Sequence, residues 1–220
     1  MNNKKVAIFD LDGTLLNTIG DLAVACNHML RLRNLNEHTY DDYCHFVGNG
    51  ITRLVERALP EELRTPEYIA SARRDFIDFY IEHIDHHTCP YEGIEEMLSE
   101  LSDAGVLLAV ASNKFNDGTR KLINRFFGKF TFASVYGNRE NVPLKPAPDV
   151  LNEIAAECGV DASACFMVGD SGVDMDCAKS ANIRSIGVTW GFRCREELEE
   201  HYADSIVDTP QDVVRIILGK

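Results

Sequence analysis

From Tyr91 onward the chain alternates short apolar or β-branched runs with helical patterns, and this alternation constrains its fold more than any other feature. The candidate strands are Val106 to Ala111, Phe132 to Tyr136, Cys165 to Val168, Ser185 to Val188 and Ser205 to Val207. Between and after them, helical patterns occupy Ile94 to Leu101, Asp117 to Phe127, Pro148 to Cys158, Val173 to Ala181, Arg195 to Tyr202 and Asp212 to Leu218. Strands joined by helical crossovers form a parallel sheet covered on both faces, so the expected class is α/β, with a Rossmann-like core. One further strand belongs to that sheet, the run Val6-Ala7-Ile8-Phe9 near the start of the chain.

The stretch between the first strand and the rest has a different texture. Leu22, Ala25, Cys26, Met29 and Leu30 repeat at helical spacing, as do Ile51, Leu54, Val55, Ala58 and Leu59. A third pattern from Tyr68 to Ile84 stacks Phe76, Ile77, Phe79, Tyr80 and Ile84 behind Pro66, a helix-start residue. A four-helix bundle inserted after the first strand fits this block. The expected division is a core of residues 1–15 and 88–220 with a helical cap over 16–87.

Ligands of an open α/β sheet bind outside the carboxyl ends of its strands, so the residues that follow each strand carry the functional argument. The first strand runs into Asp10-Leu11-Asp12-Gly13-Thr14, the second into Ser112-Asn113-Lys114, and the strand ending at Val168 into Gly169-Asp170-Ser171-Gly172-Val173-Asp174. Lys145 precedes a helix in Leu144-Lys145-Pro146-Ala147-Pro148. Each fragment alone reads as an ordinary turn, loop or helix cap. Their order along the chain is what distinguishes them.

That order resembles the haloacid dehalogenase-like superfamily, whose four motifs are an Asp-x-Asp, a Ser or Thr, a Lys and a terminal acidic pair; the resemblance covers nearly the whole chain. The inserted helical block looks like that superfamily's C1-type cap. The resemblance implies that Asp10 attacks phosphorus to form an aspartyl-phosphate, and that Asp12 protonates the leaving oxygen and then activates water. It implies a metal held by Asp10, the Asp12 carbonyl and Asp170, with Asp174 either binding the ion or supporting those that do. Gly13, Thr14, Ser112, Asn113 and Lys145 are the implied phosphate binders. An acid at Asp12 favours phosphoryl transfer over dehalogenation, since the superfamily's dehalogenases lack one there.

Elementary electrostatics agrees. Convergence of Asp10, Asp12, Asp170 and Asp174 costs about 4 kcal/mol per like-charge pair at 4 Å with an effective dielectric near 20, so a cation must be present. Oxygen donors without His or Cys suit Mg²⁺ better than Zn²⁺.

Phe46-Val47-Gly48-Asn49-Gly50, with Leu54 and Glu56-Arg57-Ala58-Leu59 behind it, looks like the phosphoglycolate phosphatase branch of the superfamily, as does Thr189-Trp190-Gly191-Phe192. Gly48 and Gly50 would let a cap loop approach the substrate closely, and Asn49 or Arg53 would read its far end. The expected activity is therefore hydrolysis of a small phosphorylated metabolite, 2-phosphoglycolate first. Alternatives within the superfamily are an inorganic pyrophosphatase, a nucleotidase or a sugar-phosphate mutase; outside enzymes, a phosphate-ligand sensor on the same scaffold. His83, His86, His87 and Cys89 match no structural zinc spacing and read as a solvated helix end. Asn182, where many relatives have Gly, tolerates the left-handed conformation that ends a helix.

Charge and cysteine usage bound the partners. A formal net charge of -13 argues against nucleic acid and anionic membranes. Seven scattered cysteines without a Cys-x-x-Cys pair read as reduced thiols of a cytoplasmic protein. The apolar run behind Met1-Asn2-Asn3-Lys4-Lys5 breaks at Asp10, too soon for a signal peptide. A monomer or weak homodimer is expected.

Overall fold

The computed structural model describes residues 4–220; residues 1–3 of the expected 1–15 segment lie outside them. In chain order the elements are β1 (Val6–Phe9), β2 (Leu16–Asn17), α1 (Ile19–Leu32), α2 (Tyr40–Phe46), α3 (Gly50–Ala58), α4 (Pro66–His83) and β3 (Cys89–Pro90). There follow α5 (Ile94–Asp103), β4 (Leu107–Phe115), α6 (Asn116–Phe127), β5 (Phe132–Asn138), α7 (Asp149–Cys158) and β6 (Cys165–Gly169). The chain closes with α8 (Gly172–Ser180), β7 (Arg184–Val188), α9 (Arg195–Glu200), β8 (Ser205–Val207) and α10 (Pro210–Leu218).

A six-stranded sheet has the order β5-β4-β1-β6-β7-β8, and every pairing in it is parallel. β1 lies inside the sheet, and all four of its residues are fully buried, as expected of a parallel strand covered on both faces. Its alternation sorts the core into two layers. Ala7 and Phe9 join a cluster with Ile94, Leu98, Leu122, Phe127, Val213 and Ile217, so α5, α6 and α10 cover that face. Val6 and Ile8 join Leu151, Ile154, Cys177 and Ala178 of α7 and α8 on the other.

Helices α1 to α4 stand between β2 and β3. These two-residue strands pair antiparallel, Leu16 opposite Pro90 and Asn17 opposite Cys89, so the chain leaves and rejoins the sheet domain through neighbouring strands. Asp21 ties the return crossing to α1: its carboxylate accepts from His87 N and Thr88 N, both at 2.9 Å, and from Thr88 Oγ1 at 2.7 Å. The apolar cluster on the Phe9 face continues into this block through Met29, Tyr43, Phe76 and Tyr80.

Periodicity missed α2, β2 and β3 for one reason, length. Only Tyr43 of α2 is buried, and its start is set by a capping box in which Thr39 and Asp42 satisfy each other's backbone N–H. β4 runs to Phe115 rather than Ala111, with a register shift against β5 in its last turn of residues, because Ser112, Asn113 and Lys114 are polar but buried. Asn182 adopts φ 55° after α8, as its tolerance of the left-handed region allows. His83 stacks on Phe79 at 3.9 Å between centroids, and Phe79 on His28 at 4.1 Å. Among the described residues the histidines join no metal-ligating group, and no helix is long and apolar enough to cross a membrane.

Candidate active site

The carboxyl ends of β1, β4 and β6 meet at one small cavity. Its wall includes Asp10, Asp12, Ser112 and Asp170 from the sheet side, and Gly48 and Gly50 from the helical block. β1 positions Asp10 directly, since Asp10 N continues the ladder by donating to Val168 O at 2.9 Å. The turn after it depends on Gly13, whose φ is 88° and whose missing Cβ would stand 2.3 Å from Asp170 Oδ2. No other residue lets this turn and Asp170 occupy the same space.

Asp10, Asp170 and Asp174 are all buried and present oxygens within 4.8 Å of one another. At such separations each pair of charges repels by roughly 3 kcal/mol or more at an effective dielectric near 20. One ammonium answers them. Lys145 Nζ lies 2.6 Å from Asp174 Oδ1 and 3.0 Å from Asp10 Oδ1, and donates to Ala111 O at 2.7 Å. Burial alone would lower its pKa, but Asp10 and Asp174 outweigh that and push it above the lysine range. The carboxylates stay under-compensated. Burial, against the pull of Lys145 and with the push of Asp174 and Asp12, raises Asp10 to about 6. Burial and the same neighbours, Asp174 and Asp10, hold Asp170 well above the carboxylate range.

This arrangement fits a metal ion. Asp10 Oδ1 is buried without a directed hydrogen bond, the donors are all hard oxygens, and a divalent charge would relieve the repulsion that raises both pKa values. Asp174 differs from its neighbours because both of its oxygens are engaged: Oδ1 by Lys145, Oδ2 by Ser171 Oγ at 2.7 Å and Ser171 N at 3.2 Å in the capping box of α8. It holds Lys145 and the helix start together. Asp170 keeps Oδ1 open while its Oδ2 accepts from Phe192 N at 2.7 Å.

A folded-state pKa above the unfolded value means that the native protein binds the extra proton. The stability that proton supplies is complete below pH 4 and is lost as pH rises through 6. For Asp10 the shift from 3.8 to about 6 corresponds to about 3 kcal/mol. In EDTA, therefore, unfolding free energy should decline between pH 4 and 6 more steeply in the wild type than in Asp10→Asn. Parallel denaturant titrations of both proteins measure this, and equal slopes would mean that Asp10 is not charged at such a cost.

Several residues expected at the site have other work. Thr14 is fully buried away from the cavity wall, its hydroxyl unpartnered and its carbonyl accepting from Trp190 Nε1 at 3.0 Å, so it supports the turn rather than a phosphate. The Asn113 side chain donates to Gly48 O and Lys145 O, both at 3.0 Å, and accepts from Lys145 N at 2.9 Å. It fastens the Lys145 loop and the Gly48 loop to β4 and has no hydrogen left for a ligand. Lys145 likewise donates to Ala111 O and Asp174 Oδ1 and stands in an ion pair with Asp10. Ser112 and Asn113 both line the cavity.

The expectation for the cap loop needs the larger correction. Arg53 is 63% exposed and pairs with Glu56 at 2.6 Å, one turn along the outer face of α3. Asn49 is turned aside by Arg57, whose Nη2 donates to Asn49 Oδ1 at 2.9 Å while its Nη1 donates to Phe46 O at 2.8 Å. Neither reaches the cavity. The cations on its wall are Lys114 and Arg193 instead. Arg193 leans from the loop after β7 onto the end of α2, donating to Cys44 O and, at 2.6 Å, to Val47 O. Its remaining nitrogen, Nε, stands 3.4 Å from Glu197 Oε2 in the first turn of α9. The signal for Lys114 was its place in the Ser112-Asn113-Lys114 stretch directly after the strand expected to end at Ala111; Arg193 had none beyond following Phe192.

Comparison with known proteins agrees with this geometry. Residues 7–188 match the family described as haloacid dehalogenase-like hydrolase. Curated relatives named phosphoglycolate phosphatase include one from Mesorhizobium japonicum, 33% identical over 90% of this chain and 88% of its own. Another, from Agrobacterium fabrum, is 37% identical over 85% and 81%. A solved structure from Lactobacillus delbrueckii subsp. bulgaricus superposes with a TM-score of 0.92 at 33% identity, covering 98% of this chain and 99% of that one.

Proposed function

Because the chain belongs to the haloacid dehalogenase-like hydrolase family and is a phosphatase of that family, we propose that it is a Mg²⁺-dependent phosphatase of 2-phosphoglycolate or a closely similar small, carboxylated phosphomonoester. One observation carries this reading: two carboxylates one residue apart, Asp10 and Asp12, face the same cavity, the first backed by Lys145 and the second by Lys114. A ligand-binding site needs neither a nucleophile nor a proton carrier.

Asp10 is the nucleophile. Lys145 holds its carboxylate in line and favours the charged form that attacks phosphorus. Asp12 gives its proton to the leaving oxygen and afterwards takes one from the water that opens the aspartyl-phosphate. Asp10, the Asp12 carbonyl and Asp170 would hold the Mg²⁺, with Asp174 behind them fixing Lys145; when bound, the ion supplies positive charge against the phosphoryl oxygens. Gly13 lets the turn pass close against Asp170, and Ser112 adds a hydroxyl for those oxygens. Helices α1 to α4 act as a cap that excludes water and selects the substrate by its far end. Arg193 places a guanidinium on the cavity wall for a second negative group.

A screen of phosphorylated metabolites, with Mg²⁺ and with EDTA, tests the reading. Phosphate release should be fastest for phosphoglycolate among esters of similar size and should stop in EDTA. Release from no ester in Mg²⁺ would leave a phosphate-binding sensor as the better description, and release that persists in EDTA would remove the metal.

A further inference from the structure

Lys114 backs Asp12 but carries no step of its own, and its position is unusual. It is the last buried residue of β4, its side chain is 2% exposed, and all three of its ammonium hydrogens have partners. Two point at Asp12, with Nζ 3.0 Å from Oδ1 and 3.3 Å from Oδ2. The third goes to the hydroxyl oxygen of Tyr80 at 2.6 Å, and the ammonium stands 4.8 Å from that ring's centroid. Tyr80 belongs to α4, is fully buried, and is clamped by Phe76 and by Phe115, with centroids at 5.1 and 6.2 Å.

A lysine stem has four rotatable bonds, so a buried lysine keeps one geometry only where its partners fix it. Here the partners lie on two different parts of the molecule. The carboxylate is on the turn after β1, and the hydroxyl is on the helical block. We propose that Lys114 is a positioning residue, holding the Asp12 carboxylate in the geometry for proton transfer, and that Tyr80 holds Lys114, so that the acid–base group is set in place by the docked helical block. This rests on the proposed role of Asp12.

The step affected is explicit. As the bond from phosphorus to the leaving oxygen breaks, its electron pair goes to that oxygen, which receives the Asp12 proton. In the second half, water oxygen bonds to phosphorus, its proton passes to the Asp12 carboxylate, and the bond from phosphorus to Asp10 breaks to return a free carboxylate and inorganic phosphate. A displaced Asp12 impairs both transfers. It does not impair expulsion of a leaving group that needs no proton.

The test uses Lys114→Met and Tyr80→Phe in the full chain with Mg²⁺. Tyr80→Phe preserves the ring and its packing, so it answers the question if Lys114→Met fails to fold. With phosphoglycolate, kcat should fall about tenfold or more in each variant while KM stays within about twofold, since a misplacement near 1 Å costs up to ~10²-fold. With p-nitrophenyl phosphate and enzyme in excess, the first release of nitrophenolate should keep its wild-type rate, whereas steady-state turnover falls. The double variant should be no worse than Lys114→Met, because the two residues act in series. Slowing of the first nitrophenolate release in proportion to phosphoglycolate turnover would overturn the proposal. So would a rise in KM at unchanged kcat, which would make Lys114 a phosphate ligand, or losses that multiply. A wild-type protein that releases no nitrophenolate would overturn the functional reading itself, and the proposal with it.

Discussion

Asp10→Asn is expected to lower turnover on every phosphate ester by at least about 10⁴-fold, to below detection in a steady-state assay. An amide nitrogen and oxygen occupy the same space, but the amide does not attack phosphorus, and the group that splits one hard displacement into two is gone. The loss should be chemical and not structural. Asp10 is a buried acid whose pKa is raised to about 6, and replacing it removes one of three mutually repelling carboxylates while Lys145 keeps Asp174 at 2.6 Å. Circular dichroism and denaturant titration at pH 7 should therefore show a variant as stable as the wild type, or more so, in EDTA. An Asp10→Asn protein that hydrolyses phosphoglycolate within tenfold of wild type would place the nucleophile elsewhere.

Asp12→Asn should behave differently in kind. Loss of a general acid–base group costs about 10²–10⁴-fold, so a residual rate should be measurable. That residue should depend on the leaving group, with nitrophenyl phosphate retaining its first displacement and alkyl esters losing both steps. The asparagine can still accept from Lys114, so the geometry described for the wild type should survive in a crystal structure of the variant. Near-wild-type turnover of phosphoglycolate would separate Asp12 from proton transfer and would reverse the roles given to the two carboxylates.

The sheet was legible because its strands are apolar runs separated by helical patterns. β6 and β8 lie within a residue of where their apolar runs suggested, and β1 is defined by four consecutive buried residues. What escaped was whatever tertiary contacts decide. The end of β4 remains extended through Ser112, Asn113 and Lys114 because backbone and side-chain partners distant in sequence bury them. The same holds at the site. Asp10, Asp12, Asp170 and Lys145 stand at strand ends or beside them, where residue type and order suffice to find them. Specificity residues depend on which way a side chain turns, and Arg53 turned to Glu56 while Arg193, 140 positions later, crossed to the end of α2. No local pattern distinguishes the two arginines. Asn113 shows the same limit within a motif: it lines the cavity beside Ser112, but its amide is consumed in joining two loops.

The pairing of Leu16–Asn17 with Cys89–Pro90 has a consequence for how a protein like this diversifies. Neighbouring antiparallel strands bring opposed residues to about 5 Å, so everything between them is a loop whose two ends already touch. A segment anchored in that way can be lengthened, shortened or replaced by another helical block without altering the path of β1 or β4, for the same reason that insertions succeed where chain ends lie close together. The carboxylates and the cations of the cavity are borne by the sheet side of that short ladder, and its apolar wall of Leu22, Val47, Ile51 and Leu54 by the exchangeable side. Lineages could thus change what they hydrolyse by swapping a single cassette, while the residues that break the phosphate bond stay under separate selection.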